Sequence, residues 1–411
     1  MYEIMSADEA IRLIRDGDCI CVNSFVGIEN PTELHEALYR RYQKMQSPTH
    51  LTIVSSAGFG VWDDEHNAEG YIREGAVDKL ICGHFGAMMS TKKLVLEDRF
   101  EAYNLPLGCI SHAIRAQAGG LPGSFIERLD WIIFVDPRRE GPGINRISID
   151  DSLVKHVEVD GDEFLYYKLP KITIAMIKGT AADRKGNITF DDMFMSGDAL
   201  SICQAVKANR GKVIVQVDRL VATPSRPRNA IIPGCLVDAI VVAEPQERNE
   251  AYTALTGSFE IPYKEWHTWN EKINDLSQKQ RKNNIPANII GKRAAQELRV
   301  DDIVNIGIGI PETVARFARK SGMLDMITLT VESGGIGGFP VSGEAFGAMI
   351  GAASVYDMAN QFDLYDNGGL DVCFMGALEV DKYGNINAHR GTGAFAGIGG
   401  FAISPPKLRQ L

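Results

Sequence analysis

Residues 18–34, DCICVNSFVGIENPTEL, and residues 301–314, DDIVNIGIGIPETV, run through the same steps: an aspartate, an apolar strand, a glycine-bearing turn, then proline and glutamate opening a helix. Proline suits the first helical turn, and an acid there meets the positive end of the helix dipole. Two further echoes follow in the same order. LTIVSSAGFG (51–60) parallels LTVESGGIGG (329–338), with Ser55 facing Glu332, and Asp183-Arg-Lys-Gly-Asn-Ile188 parallels Asp381-Lys-Tyr-Gly-Asn-Ile386. Three echoes in one order imply two structurally related halves.

Between the echoes, short apolar strands (KITIAMI, 171–177; KVIVQV, 212–217; DAIVVA, 238–243) alternate with helical stretches such as DALSICQAVKANR (198–210). That alternation predicts an α/β fold of two related open domains, an internal duplication, with parallel or mixed sheets flanked by helices. A chain of 411 residues also exceeds one ordinary core. The polar stretch near 257–287 reads as the connector, placing the N-terminal domain at 1–270 and the C-terminal domain at 287–411.

A net charge of −10 disfavours nucleic acid or an anionic membrane as the main partner. No apolar run reaches the ~20 residues that cross a bilayer, and the acidic, amphipathic start MYEIMSADEAIRLIRDGD is unlike a secretory signal. The seven cysteines sit among apolar residues without a C-x-x-C pair, so they read as buried reduced thiols in a cytoplasmic protein.

Strand-like TLTV (328–331) ends in Glu332 and then four glycines within six residues, SGGIGG. Ligands of open α/β sheets bind where strands end, so the turn Gly307-Ile308-Gly309-Ile310-Pro311 and the turn at Glu332 are expected at one edge of the C-terminal sheet. A dinucleotide fingerprint would need a glycine at position 312, which holds Glu312, and no G-x-x-x-x-G-K-[ST] occurs. D-x-x-G-N-I occurs twice, so it reads as a tight turn. Glu332 has no such duplicate. A carboxylate in a glycine-walled pocket can act as base, metal ligand or nucleophile; no His or second acid lies close in sequence, which disfavours a metal. Glycines suit the nucleophile, because they admit a flat acyl carrier and offer N–H groups to a developing oxyanion, as can GTGAFAGIGGF (391–401). Of the eight histidines, His84 in CGHFG and His112 in CISHAIRAQAGG are the two least easily read as packing alone.

The stretches SFVGIENPTEL, VDPRREGPGINR, IKGTAADRKGNITFDD, KVIVQVDRLV, VNIGIGIPE, LTVESGGIGGFP and MGALEVDKYGNIN span roughly residues 5–402. On these residues, and in this order, the chain resembles family I coenzyme A transferases, especially the single-chain short-chain acyl type that includes acetate, propionate and 3-oxoacid CoA-transferases. The resemblance implies that Glu332 is the nucleophile of a ping-pong exchange, passing through an acyl-glutamyl anhydride and a glutamyl-CoA thioester. It implies that Gly400 of Gly397-Ile398-Gly399-Gly400 helps stabilise the oxyanion. CoA contacts fall to Gly307, Ile308, Gly309, Ile310 and Pro311, with Gly334, Gly335 and Gly399 beside them. No permanently bound cofactor or metal is implied: coenzyme A is substrate and covalent intermediate, its partners are short-chain acyl-CoA and a carboxylate, and the protein is a homo-oligomer, dimer or tetramer. Ionised Glu332 is needed, so nearby N–H groups are expected to hold its pKa down.

Two departures stand out. Related 3-oxoacid transferases carry an oxyanion-assisting glutamine where this chain has Leu107 of Leu105-Pro-Leu-Gly108. Family members also continue past the G-x-G-G turn, whereas FAISPPKLRQL ends at Leu411, which reads as a shortened second domain with exposed sheet edge. The competing expectations are an acyl-CoA thioesterase, a non-catalytic or truncated CoA-binding protein, and a two-domain sugar-phosphate isomerase or sensor.

Overall fold

The computed structural model describes residues 2–60, 69–127, 134–150, 152–244, 285–391 and 394–400. Runs such as CICV and IAMIKGTAAD have no solvated face, as strands covered on both sides require, and both are buried along their whole length. They lie in a sheet built from β1 (Glu3–Met5), β2 (Cys19–Val22), β3 (Leu51–Ser55), β4 (Val77–Cys82), β5 (Glu101–Asn104), β6 (Ile174–Asp183), β7 (Lys212–Val221) and β8 (Ala239–Val242). Their order is β1-β8-β7-β6-β2-β3-β4-β5, with every pairing parallel. The second sheet comprises β9 (Ile303–Ile306), β10 (Thr328–Thr330), β11 (Gly335–Ile336), β12 (Ser354–Val355) and β13 (Val372–Phe374), ordered β12-β11-β10-β9-β13. Its centre, β10-β9-β13, is parallel; β11 and β12 run antiparallel. Helices α1 (Thr32–Met45), α2 (Leu107–Ala118), α3 (Ala199–Ala208), α4 (Glu312–Lys320) and α5 (Met358–Asp366) accompany the two sheets.

The duplication is visible in three dimensions. β2-α1-β3 beside β6 matches β9-α4-β10 beside β13. Each D-x-x-G-N-I closes a hairpin in the same way. Asp183 accepts from the backbone N–H groups of Lys185 and Asn187 and from the Asn187 side chain; Asp381 does so from Tyr383, Asn385 and the Asn385 side chain. These are turns, as the repetition predicted. One detail shifts: Asn305 sits between Cys373 and Thr330 as Cys21 sits between Ala175 and Val54. In that register the counterpart of Glu332 is Ser56, one residue beyond the expected Ser55.

Residues 257–284 of the expected connector lie outside the described residues, as does the tail 401–411; residues 285–287 open the helix Ile285–Ala294. The cysteines are unpaired, but Cys235 is exposed, so not every thiol is buried as expected.

The halves share apolar packing. One buried cluster joins Phe25, Val26, Leu107 and Phe194 of the first half to Val331, Phe346, Met358 and Phe362 of the second. At this seam α2 meets α5. His112 Nε2 lies 3.0 Å from Asp363 Oδ1, and Arg115 Nη2 lies 2.9 Å from both Asp363 oxygens. Gly108 lets the helices approach: a Cβ there would stand 2.5 Å from the Phe362 ring. Gly108→Ala should therefore cost about 1–3 kcal/mol in urea unfolding, and adding Phe362→Ala should leave less than the sum of the two single effects. Strict additivity would show that the contact does not hold the seam.

Candidate active site

β10 turns into β11 through four residues, Val331-Glu332-Ser333-Gly334, closed by hydrogen bonds from Val331 N–H to Gly335 O (3.0 Å) and from Gly334 N–H to Val331 O (3.1 Å). Gly334 has φ +117°, and a Cβ on it would stand 2.1 Å from the Tyr356 carbonyl oxygen, so only glycine fits. Ser333, fully buried, donates its hydroxyl to the Gly347 carbonyl. The turn is thus pinned on both sides of Gly334, and Glu332 is held at the carboxyl edge of the second sheet.

Glu332 is 7% exposed, and burial pushes its carboxyl up to about 7; the hydrogen bond from its own backbone N–H acts in the opposite direction and does not compensate. The expectation that nearby N–H groups hold the pKa down is therefore overturned, because desolvation outweighs the donor present. Beneath it runs a buried polar chain. Tyr365 OH donates to Thr330 Oγ1 (2.9 Å), Asn305 Nδ2 donates to Tyr365 OH (3.3 Å), and Cys373 Sγ donates to Asn305 Oδ1 (3.4 Å). Burial chiefly, and then the charge of Glu332, raises the pKa of both Tyr365 and Cys373.

The other wall arrives from the end of the described chain. Phe395 is buried in the core of the first sheet, its ring centroid 4.9 Å from that of Phe85. Beyond it, Phe85 N–H donates to Ala396 O (2.7 Å), Gly399 N–H to Gly83 O (2.7 Å) and Leu107 N–H to Gly399 O (3.0 Å). Ile398 N–H donates to Asn104 Oδ1 (2.9 Å). The glycine turn 397–400 is thereby fastened to loops at the carboxyl ends of β4 and β5, and it presents Gly400 to Glu332. A Cβ on Gly400 would stand 2.6 Å from Glu332 Cγ and 2.8 Å from Oε1.

The expected site residues fall into three groups. Glu332 and Gly400 meet, while Gly399 is bonded through its N–H to Gly83 and through its carbonyl to Leu107. The turn Gly307–Pro311 follows β9, adjacent and parallel to β10, at the same sheet edge; Ile310 is exposed, and Gly309 N–H is already taken by Glu312 Oε1 at 2.8 Å. Gly334 and Gly335 are buried, Gly335 packing on Phe194, Met349 and Val331. His84 lies against the clamp, its Nδ1 3.7 Å from where a Gly399 Cβ would be, and burial pushes it down to about 4. His112 belongs to the α2–α5 seam. Sequence reasoning missed Asn104, Asn305, Tyr365 and Phe395. For Asn305 one signal was available: a polar amide inside the otherwise apolar run IVNI of a buried strand.

The family model described as coenzyme A transferase matches residues 4–243 and 287–395. Acetate CoA-transferase YdiF of Escherichia coli strain K12 is 37% identical over 403 residues, covering 97% of this chain and 73% of that protein. Caffeate CoA-transferase of Acetobacterium woodii is 34% identical over 404 residues, covering 95% and 73%. The crystal structure of the acyl-CoA transferase YdiF from E. coli O157:H7, in a thioester complex with CoA, superposes with a TM-score of 0.84 at 35% identity, covering 97% of this chain and 77% of that one.

The raised carboxyl makes stability depend on pH with a definite sign. Between the ordinary value of 4.5 and about 7, folded Glu332 holds a proton that the unfolded chain has released, so its contribution to stability falls as pH rises through that window. Glu332→Gln should be more stable than the parent at pH 8, by up to about 3 kcal/mol, with the gain fading toward pH 4.5. A difference independent of pH in thermal unfolding would refute the burial of an ionisable group there.

Proposed function

The chain belongs to the coenzyme A transferase family, and from that premise we propose that it moves coenzyme A reversibly between a short-chain acyl-CoA and a carboxylic acid such as acetate, by a ping-pong route through a glutamyl-CoA thioester on Glu332. The observation that carries this is the contact of Gly400 with the Glu332 carboxyl, which leaves no space for a side chain between them. A glycine is needed there only if backbone must lie directly on the acid.

In the proposed cycle, a carboxylate oxygen of Glu332 adds to the acyl-CoA carbonyl and the C–S bond breaks, giving the anhydride and CoA thiolate. The thiolate adds to the glutamyl carbonyl, the anhydride C–O bond breaks, and the first acid departs as carboxylate. An incoming carboxylate repeats both steps in reverse and leaves as the new acyl-CoA. Thioester energy passes from acyl to glutamyl to acyl. Each addition places negative charge on a carbonyl oxygen; the N–H groups of Gly397, Ile398 and Gly399 are spent on His389, Asn104 and Gly83, which leaves the backbone N–H of Gly400 as the donor of the clamped turn suited to receive it. The buried carboxyl is poorly solvated and hence a stronger nucleophile than one in water, provided it is ionised. Likeness to an acetate CoA-transferase supports a small acid, while the caffeate enzyme shows that a relative accepts a larger one. Unpaired cysteines suit a reducing compartment, and the cytoplasm is the proposed location. A homo-oligomer, dimer or tetramer, follows from the resemblance alone.

Incubation with acyl-CoA alone should add the mass of CoA to the peptide bearing Glu332, and Glu332→Gln should abolish both the adduct and exchange with labelled acetate. Exchange surviving in that variant would overturn the scheme; release of CoA without an acceptor acid would mark a thioesterase instead. Gly400→Ala should slow adduct formation on the order of 10²-fold, the scale of a lost oxyanion donor. Because the carboxylate is the reactive form, kcat/KM should climb with pH through a midpoint near 7. A profile already flat at pH 5.5 would show that Glu332 is ionised despite its burial.

A further inference from the structure

Asn104 ends β5 beside the glycine turn and is 1% exposed. Cut off from water, an amide side chain must find protein partners for its polar atoms. Its Nδ2 donates to the carbonyl oxygens of Cys82 (2.9 Å) and Gly83 (2.8 Å), and its Oδ1 accepts from Ile398 N–H (2.9 Å). One side chain thus ties three strands of the chain: the end of β5, the end of β4 and the middle of Gly397–Gly400. The other fastenings of the turn are mostly backbone to backbone, with the His84 ring bonded to the Gly397 backbone. Gly397 itself crowds Asn104, since a Cβ there would stand 3.0 Å from Nδ2.

Resting on the role given above to Glu332, we infer that Asn104 is a positioning residue for CoA transfer: it sets the glycine turn against the first sheet and so fixes Gly400 on the Glu332 carboxyl. It contacts the reacting atoms only through Ile398, two residues from Gly400. Its removal leaves the Ile398 N–H without its acceptor and takes one donor each from the Cys82 and Gly83 carbonyls, and the turn drifts. A displacement of about 1 Å at a reacting centre can cost about 10²-fold in rate, whereas affinity for free CoA, spread over a larger surface, changes little. Replacement by aspartate keeps an acceptor for Ile398 but sets a carboxylate against two carbonyl oxygens, so it does not restore the geometry.

The test measures the rate of CoA adduct formation on Glu332, the dissociation constant of free CoA, and amide hydrogen exchange of segment 394–400. The proteins compared are the parent, Asn104→Ala, Asn104→Asp and a control, Val206→Ala, which opens a cavity at a fully buried position of α3 in the first core. Both Asn104 variants should form adduct about ten- to a hundredfold more slowly, bind CoA within about threefold of the parent, and exchange faster in 394–400 with β7 and β8 still protected. Val206→Ala should show none of this pattern. Adduct formation in Asn104→Ala as fast as in Val206→Ala, or CoA affinity falling in step with rate, would overturn the inference. If the parent forms no adduct, the role of Glu332 itself fails, and the inference with it.

Discussion

Taking one carboxyl group out of water is the constraint around which this structure is arranged. Moving a carboxylate into a protein interior costs several kcal/mol unless charges or hydrogen bonds replace its hydration, and Glu332 receives a bond from its own N–H against a larger desolvation. Among the described residues its neighbours include the Gly400 backbone, Tyr365 and Cys373, none of them a cation. The first half makes the opposite choice at the matching strand end. There Ser56 donates to a buried acid, Asp198, which Ser111 also approaches, and burial still pushes Asp198 up to about 6 against the opposing pull of the two hydroxyls. One duplicated edge thus carries a carboxyl quenched by hydroxyls, and the other a carboxyl left underbonded.

An underbonded buried group persists only where its surroundings cannot relax around it. Glu332 is fixed by a four-residue turn that only Gly334 can close, by Ser333 anchored to Gly347, and by the polar chain from Thr330 to Cys373. The cluster that joins the halves surrounds that turn, with Val331 and Phe346 among its members. The energy that keeps Glu332 dry therefore comes from apolar burial across the seam, not from contacts of the acid. Neither half alone would hold it: the second sheet supplies the acid, and the first supplies the platform on which Gly400 rests.

What the sequence disclosed follows from the range of the interactions. The duplication, the parallel strands, the paired D-x-x-G-N-I turns and the sheet edge bearing Glu332 are local or periodic, and they were legible. The register of the repeat was legible to within one residue, Ser55 standing in for Ser56, because sequence echoes do not report which residues face across a ladder. The direction of the Glu332 pKa was missed, since burial depends on chain far from position 332. Asn104 and Phe395 were missed for the same reason: their partners lie about 290–310 residues away, and a lone Asn or Phe has no period to betray it. Gly334 and Gly335 were expected to face the ligand because glycine permits close approach; here the approaching groups are Tyr356, Phe194 and Met349.

Leu107 shows how the site manages without a side-chain donor at a position where one was expected. Its side chain is 2% exposed and packs in the seam, while its backbone N–H donates to Gly399 O. Asn104, three residues earlier, accepts from Ile398. The short turn between them therefore grips the glycine segment twice, at the adjacent residues Ile398 and Gly399, without placing a flexible polar side chain near the acid. A backbone donor has no rotamers to freeze, so an oxyanion site built from glycine amides loses little entropy when charge develops. Its weakness is that such amides are only as well placed as the chain that carries them. In the proposed mechanism that shifts the demand for precision from the groups touching substrate to the hydrogen bonds holding residues 396–400, and gives the first sheet, which does not carry Glu332, a part in the chemistry.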